Sequence, residues 1–150
     1  MTSENEKKNI EFRYFQTSQH AIFNNGYHIV FATKYRKRII GPILTKELNE
    51  IYLKMALEKP DGLEIIGIGI ETDHVHLLLK VPPSLQISRA VQRIKGVASR
   101  ILFQKYPELE EKIGKRALWQ TGYFCRALGN VNIPQIKAYL GKQKKELYFG

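Results

Sequence analysis

The sequence predicts an α+β fold of the ferredoxin-like (split βαβ) type, an antiparallel sheet with helices on one face and a further C-terminal helix. Four stretches rich in β-branched and aromatic residues alternate with two helical patterns in the order β-α-β-β-α-β. Prolines and glycines mark most of the boundaries. With 150 residues, 43% of them hydrophobic, the chain can form one domain with a real core. We expect a polar arm over residues 1–20 and a single domain over residues 21–150.

The first strand and the first helix are predicted in the first 60 residues. The strand begins at Gly26, where GYHIVFATKY is rich in aromatic and β-branched residues. After a break at Gly41-Pro42, Thr45 is expected to cap a helix that runs to Lys59. Its apolar face consists of Leu48, Ile51, Tyr52 and Met55. The turn Pro60-Asp61-Gly62 ends this helix.

The middle of the chain predicts a hairpin followed by a long helix. Two strands, Leu63–Ile70 and His74–Val81, flank a short polar turn, and two prolines follow the second strand. A helix is expected from about Leu85 to Tyr106. One side of it gathers Ile87, Val91, Ile94, Ala98, Ile101 and Leu102, and the other carries Arg89, Arg93 and Arg100. Residues 118–129 then predict a fourth strand, and Asn132 caps a last helix.

Composition narrows the function classes. Lys and Arg number 24 against 14 Asp and Glu, a formal charge of +10, which predicts attraction to a polyanion such as nucleic acid or an anionic membrane surface. The single cysteine, Cys125, excludes an intrachain disulfide and a four-cysteine zinc site, and we interpret it as a small core residue. No apolar run approaches the roughly 20 residues that span a bilayer, and the polar start is unlike a secretory signal. We therefore expect a cytoplasmic protein.

Two histidines one residue apart form the first candidate site. On a strand, His74 and His76 point to the same face while Val75 points to the other, so the two imidazoles can share one divalent cation. The alternative is a pair of half-exposed sheet histidines without a ligand. The setting favours the metal site, because Asp73 is adjacent and the apolar run Leu77-Leu78-Leu79 indicates a buried strand, where polar side chains need a purpose.

The last helix supplies the second candidate site. Tyr139 and Gln143 are four residues apart and therefore neighbours along one edge of its apolar stripe. Tyr139 could be a flanking core aromatic and Gln143 a solvated residue. The functional interpretation makes Tyr139 a nucleophile and Gln143 a third metal ligand beside the two histidines. Tyr123 and Tyr148 are the competing tyrosines.

Five motifs in the same order resemble the single-tyrosine HUH transposases, small enzymes of insertion sequences that move as single-stranded DNA. They are YHIVFATKYR at 27–36, DHVHLLL at 73–79, IKGVASR at 94–100, LWQTGYF at 118–124 and the terminal helix with Tyr139 and Gln143. The resemblance covers nearly the whole chain from Gly26 onward.

The resemblance implies a mechanism and partners. His74, His76 and Gln143 would hold Mg²⁺ or Mn²⁺ on the scissile phosphate of single-stranded DNA. Tyr139 would attack, become joined to the 5′ phosphate and release a 3′ hydroxyl, and strand transfer would reverse this step. The family recognises DNA hairpins at the element ends and forms homodimers with active sites shared between subunits. A prokaryotic, nucleoid-associated location follows from the same resemblance.

The basic residues form two clusters that could bind DNA phosphates. One lies after the first strand and the other on the long helix. The members that we predict to contact DNA are Lys34, Arg36, Arg38, Arg89, Arg93, Lys95 and Arg100. For any single residue the alternative is a solvated surface charge.

Two other functions are compatible with the same fold. One is a non-catalytic module that binds single-stranded nucleic acid, and it leaves the Tyr139 and Gln143 pattern unexplained. The other is a zinc hydrolase that uses His74 and His76, with Glu71 or Asp73 as third ligand or base. A domesticated relative of the transposases would retain the transposase chemistry.

Overall fold

Five strands and three helices make up the computed structural model, which describes residues 13–14 and 25–129. The 3₁₀ turns at Lys34–Arg36 and Pro60–Gly62 are not numbered. In chain order the elements are β1 (Arg13–Tyr14), β2 (Gly26–Ala32), α1 (Pro42–Glu58), β3 (Glu64–Ile70), β4 (His74–Lys80), α2 (Ile87–Lys105), α3 (Leu109–Ile113) and β5 (Phe124–Ala127).

The strands form a single antiparallel sheet in the order β1-β3-β4-β2-β5. Without the two-residue β1, the order is that of a ferredoxin-like sheet, in which each of two crossover helices joins strands that are not adjacent. The predicted fold class is therefore confirmed. The topology places β4 and β2 side by side in the middle of the sheet, with residues His74 to Lys80 paired along residues Ala32 to Gly26.

The hydrophobic core lies between the sheet and the two long helices. Alternate residues of β4, namely Val75, Leu77 and Leu79, are fully buried in this core. The predicted apolar faces of both helices pack against them, and the arginines of α2 lie on its exposed side, as predicted. Burying a side chain of this kind contributes roughly 1.5–3 kcal/mol, so the helical face of the sheet is the main source of stability.

The first helix begins earlier than predicted. It starts at Pro42 and not after Thr45, and Gly41 occupies the N-cap position. A proline at the first helical position loses nothing, because its missing N–H would have had no partner within the helix. The interpretation of Gly41-Pro42 as a break is therefore wrong for Pro42, which opens the helix.

The fourth strand is shorter than predicted. Only Phe124–Ala127 pairs along β2, and Trp119 makes an isolated bridge to Thr33. Cys125 is exposed, which contradicts its interpretation as a core residue. The reason is topological: Cys125 pairs with the core residue Ile29 but lies on the edge strand β5, all four residues of which are exposed. Burial of part of the side chain raises the pKa of the Cys125 thiol, which disfavours a nucleophilic role.

Only part of what was predicted for the two ends of the chain falls on described residues. Arg13 and Tyr14, from the segment expected to be an arm, pair with β3 at the edge of the sheet. The predicted last helix lies outside the described residues, and the division into arm and domain stays a prediction. Among the described helices, none combines the length and the apolar character needed to cross a membrane.

Candidate active site

The site is built on the face of the sheet that turns away from α1 and α2. Because β4 alternates, Val75 and Leu77 enter the helical core while His74 and His76 project from the opposite face. His74 is 8% exposed and His76 is 1% exposed, so the alternative of half-exposed sheet histidines does not hold. Their ring centroids are 4.9 Å apart with an interplanar angle of 64°. The predicted pairing of the two imidazoles on one face is thus present.

Asp73 orients the first of these histidines. The Nδ1 of His74 donates a hydrogen bond of 2.6 Å to Oδ1 of Asp73, and Arg36 approaches Oδ2 of the same carboxylate at 3.3 Å. Desolvation raises the pKa of Asp73, but the hydrogen bond with His74 and the contact with the guanidinium of Arg36 together hold this pKa below its usual value. Asp73 is therefore an ionised acceptor that holds the His74 ring by Nδ1, which makes Nε2 the ring nitrogen able to ligate a cation.

The turn that carries Arg36 is fixed by several backbone contacts. The backbone amide of Thr33 donates to the carbonyl of Asp73 at 2.8 Å, and the Thr33 hydroxyl donates to the carbonyl of Lys37 at 2.7 Å. Tyr35 and Arg36 both adopt positive φ angles, 60° and 52°, which non-glycine residues rarely do. This conformation brings the guanidinium of Arg36 back towards the turn between β3 and β4.

A third histidine, His28, belongs to the same cluster. It lies on β2, is fully buried, and its Nε2 is 3.0 Å from Nδ1 of His76. Burial, together with the positive charge of Arg126, lowers the pKa of His28 to about 4, so this ring is neutral at neutral pH. The sequence pattern did not single out His28. The available signal was a histidine at an alternating position of a predicted strand, but its partner is defined by the pairing of β2 with β4, which the sequence does not reveal.

A cavity of about 200 Å³ opens beside His74. Its walls come from the end of β2, from Arg36, from the loop that leads into β5 and from the start of β5. Tyr123 in this loop and Phe124 on β5 are each 39% exposed. Phe124 also meets the His28 ring edge to face, with centroids 5.8 Å apart. The cavity is therefore lined by the guanidinium of Arg36, the imidazole of His74 and the exposed rings of Tyr123 and Phe124. Such a combination of positive charge and aromatic rings is suited to a nucleotide.

Lys95 holds the loop that forms one wall of this cavity. Its ammonium donates to the carbonyls of Gln120 at 2.7 Å and Gly122 at 3.1 Å, while the indole Nε1 of Trp119 donates to the Lys95 carbonyl at 3.1 Å. Burial lowers the pKa of Lys95, as expected for a partly enclosed ammonium. The sequence predicted a DNA contact for Lys95, whereas the structure gives it a role in ordering the loop. A DNA contact by this residue stays a prediction.

The two predicted basic clusters lie on different parts of the molecule. Arg36 and Arg38 are exposed on the turn after β2, at the end of the sheet where His74 lies, and Lys34 is partly buried there. The arginines of α2 project from the outer surface of the helical layer, across the sheet from the histidines. Arg93 forms an ion pair with Asp61, and Arg89 and Arg100 are exposed.

The described residues contain part of the predicted site. Tyr139 and Gln143 lie outside them, so the nucleophile and the third ligand stay predictions. Within residues 13–14 and 25–129, no group of three His, Cys, Asp or Glu side chains is arranged to hold a metal ion. The Asp73 carboxylate accepts a hydrogen bond from Nδ1 of His74, whereas a cation would bind at Nε2 on the other side of the ring. This placement argues against Asp73 as the third ligand of a zinc hydrolase.

Comparison with known proteins decides the family. The profile of the IS200-like transposases matches residues 21–143 of the chain. The ISDra2 transposase TnpA of Deinococcus radiodurans is 31% identical over 122 residues, which cover 81% of this chain and 86% of that protein. The chain belongs to the IS200-like transposase family. The transposase of IS200 from Salmonella typhimurium is also 31% identical to this transposase, over 127 residues that cover 85% of this chain and 82% of the relative.

Solved structures agree with the fold of the transposase. The 1.90 Å crystal structure of a candidate transposase from Deinococcus radiodurans superposes with a TM-score of 0.64 at 27% identity, covering 86% of this chain and 98% of the other. A REP-associated tyrosine transposase bound to a REP hairpin gives a TM-score of 0.51 at 14% identity, with 83% and 67% covered. At that identity the second likeness concerns the fold alone.

Proposed function

We propose that this transposase cleaves and rejoins single-stranded DNA at the ends of an insertion sequence through a covalent bond between Tyr139 and a 5′ phosphate. The proposal includes a divalent cation, Mg²⁺ or Mn²⁺, held by His74, His76 and Gln143. The observation that carries it is the buried histidine pair, which projects from one face of the sheet with both Nδ1 atoms engaged by other side chains.

The donor set of the described residues fits a cation site. Both Nδ1 atoms face protein partners, Asp73 and His28, so both rings can offer Nε2 to a common ligand. Imidazole nitrogens and an amide oxygen form a mixed donor set that leaves coordination positions for phosphate oxygens. When bound, such a cation would withdraw electron density from the phosphate and stabilise charge on its oxygens.

The chemical step is a transesterification. The phenolic oxygen of Tyr139 attacks the phosphorus, the bond to the 3′ oxygen breaks, and the proton lost by the phenol is balanced by the one gained at the released 3′ hydroxyl. A phenol has a pKa of about 10 and is a weak nucleophile at neutral pH, so its attack would depend on activation of the DNA phosphate by the bound cation or on a nearby base. Because the phosphotyrosine preserves the ester, a second 3′ hydroxyl can reverse the step without an external energy source.

The cavity beside His74 is where we place the DNA strand next to the scissile phosphate. Arg36 and the exposed rings of Tyr123 and Phe124 line it, and stacking of one base on an aromatic ring contributes roughly 1–3 kcal/mol. The hairpins at element ends are the expected substrates, because the sequence motifs resemble those of enzymes that recognise such hairpins. A protein of the same fold was solved with a REP hairpin. Non-cleaving binding of the same DNA is the main alternative.

A covalent-adduct assay tests the proposal. Labelled single-stranded DNA with the flanking sequences of the gene is incubated with the protein and Mn²⁺, and the products are separated on a denaturing gel. We expect a protein–DNA band that requires the cation and disappears in Tyr139→Phe. Tyr106→Phe is the matched control, because the Tyr106 hydroxyl donates to Glu47 between the two helices, away from the histidines.

Three other outcomes would change the conclusion. An adduct that persists in Tyr139→Phe but disappears in Tyr123→Phe would transfer the nucleophile to the tyrosine that lines the cavity. Cleavage without any adduct would contradict the tyrosine mechanism and favour a hydrolase. Binding of the hairpin without cleavage under either cation would favour a module that only binds nucleic acid.

The active sites are proposed to be shared between the subunits of a homodimer. In that arrangement, His76→Ala and Tyr139→Phe proteins are each inactive, but a mixture of the two regains activity because one composite site in each heterodimer is intact. The measurement is the adduct yield of the mixture, refolded together so that the subunits exchange. A mixture as inactive as its components, with heterodimers demonstrated by tagged pull-down, would place each site within a single chain.

A further inference from the structure

We propose that His28 is a positioning residue, which selects the His76 tautomer able to bind the cation by accepting a hydrogen bond from His76 Nδ1–H. This inference rests on the proposed metal site of His74 and His76. It adds a residue on a different strand, and it assigns a function to a fully buried histidine that the reaction itself does not use.

The geometry of the two rings supports a directed hydrogen bond. The Nε2 of His28 and the Nδ1 of His76 are 3.0 Å apart, and the two ring planes are inclined by only 12°. The centroids of the His28 and His76 rings are 5.3 Å apart. This separation is expected when a hydrogen bond joins two nearly coplanar imidazoles edge to edge. Face-to-face stacking would bring the centroids much closer at this ring orientation, so the contact between His28 and His76 is a hydrogen bond.

The sheet explains how the two rings reach each other. His76 pairs across the ladder with Val30, and His28 lies two residues further along β2, on the same face of the sheet. Phe124, on the neighbouring strand β5, meets the His28 ring edge to face. The His28 ring therefore contacts side chains from both strands that flank β2.

The direction of the hydrogen bond determines whether His76 can be a ligand. A neutral imidazole carries one proton, so one ring must donate and the other must accept. If His28 donated, Nδ1 of His76 would accept and Nε2 of His76 would carry the proton, which would prevent it from binding a cation. If His76 donates from Nδ1, its Nε2 carries the lone pair that a cation needs. Cation binding and acceptance by His28 thus favour the same tautomer.

The two ligand histidines have different acceptors. His74 donates to the carboxylate of Asp73, whereas His76 donates to the imidazole of His28. A carboxylate can only accept from Nδ1 of His74, but an imidazole can donate or accept, so the tautomer of His76 depends on which of the two rings donates. Residues that orient metal-binding histidines typically change metal affinity by about 10–100-fold when they are replaced.

The experiment combines tautomer detection with cation titration. Long-range ¹H–¹⁵N spectra of the metal-free protein distinguish the two tautomers of each ring, and the chain contains four histidines, which makes the spectrum assignable with single substitutions. We expect His76 to carry its proton on Nδ1 in the wild-type protein. His76 protonated on Nε2 in the metal-free protein would overturn the proposal.

Two substitutions at the same position separate the hydrogen bond from packing. His28→Gln retains an acceptor oxygen close to the position of Nε2, whereas His28→Leu fills similar space without an acceptor. Titration with Mn²⁺ alone should show an affinity about 10–100-fold weaker in His28→Leu and within about threefold of wild type in His28→Gln. Equal affinity of wild type and His28→Leu would refute the role, and so would equal losses in both variants.

Controls distinguish this inference from the metal site itself. His76→Ala must abolish the Mn²⁺ titration; if it does not, the proposed cation site is wrong, whatever His28 does. Thermal unfolding of the metal-free variants shows whether His28→Leu is folded at the titration temperature. If that variant does not fold, the wild-type tautomer and the His28→Gln titration still decide, because a purely structural His28 predicts neither the Nδ1–H tautomer nor retained affinity.

Discussion

Two basic residues of α2 with the same sequence interpretation have different environments. Lys95 is partly buried and its ammonium donates to two carbonyls of the loop beside the cavity. Arg93, two residues earlier, is half-exposed and forms an ion pair with Asp61. An exposed ion pair contributes about 0–1 kcal/mol, whereas loss of Lys95 would leave two carbonyls without their donor. The two residues are therefore a natural pair for separating a structural role from a surface charge.

We expect Lys95→Met to loosen the loop over residues 120–123 without unfolding the protein. Each of the two hydrogen bonds contributes roughly 0.5–1.5 kcal/mol, and partial exposure of the ammonium places the combined loss at about 1 kcal/mol. Amide hydrogen exchange should accelerate at these loop residues, and the urea midpoint should fall slightly. Arg93→Met, the matched control, should leave exchange in the loop unchanged. Unchanged exchange in Lys95→Met would show that other contacts order the loop.

At the residue scale, the sequence predicts those features of the candidate site that depend only on residue spacing within one strand. The period of two in a strand is sufficient to predict that His74 and His76 share one face, and their environment confirms the placement. His28 and Asp73 act through contacts that depend on how β2 registers against β4 and how the turn folds. Neither quantity is encoded in local spacing, so the partners of the two histidines could not be predicted from it.

Elements were predicted well where one periodicity dominates. The hairpin strands and α2 agree with their predicted bounds within two residues, because alternation and a 3.6-residue apolar stripe act there over a long stretch. The prediction was less accurate at Pro42, since a proline can either break a helix or open it, and only the packing of the first turn decides.

The stretch before β5 illustrates a second limit. Residues 118–129 have strand-like composition throughout, but only four of them pair along β2. Trp119 is instead buried against Phe31, with centroids 4.7 Å apart, and its indole donates to α2. Tertiary packing of one large aromatic side chain therefore converts part of an apparent strand into the loop that lines the cavity.

At the scale of the whole molecule, the sheet separates two basic surfaces. The turn surface (Lys34, Arg36 and Arg38) lies at the end of the sheet where His74 is found, and the helix surface (Arg89, Arg93 and Arg100) lies across the sheet from the histidines. We therefore expect that a short DNA strand bound at the histidines would reach the turn surface but not the helix surface. Net charge alone could not reveal this division, because it depends on which layer each element occupies.

Salt dependence of DNA binding tests this division. Each phosphate contact on a single strand adds about 0.7 to the slope of log affinity against log salt concentration. With a short oligonucleotide limited to the cleavage site, Arg38→Gln should lower the slope by about that amount, while Arg89→Gln and Arg100→Gln should leave it unchanged. With DNA long enough to carry a hairpin, the helix variants should lower it as well. Lys54→Gln on α1, whose side chain is 75% exposed, is the control for loss of one surface charge. If Arg89→Gln lowered the slope on the short oligonucleotide as much as Arg38→Gln does, the path of the DNA would have to include both faces of the molecule.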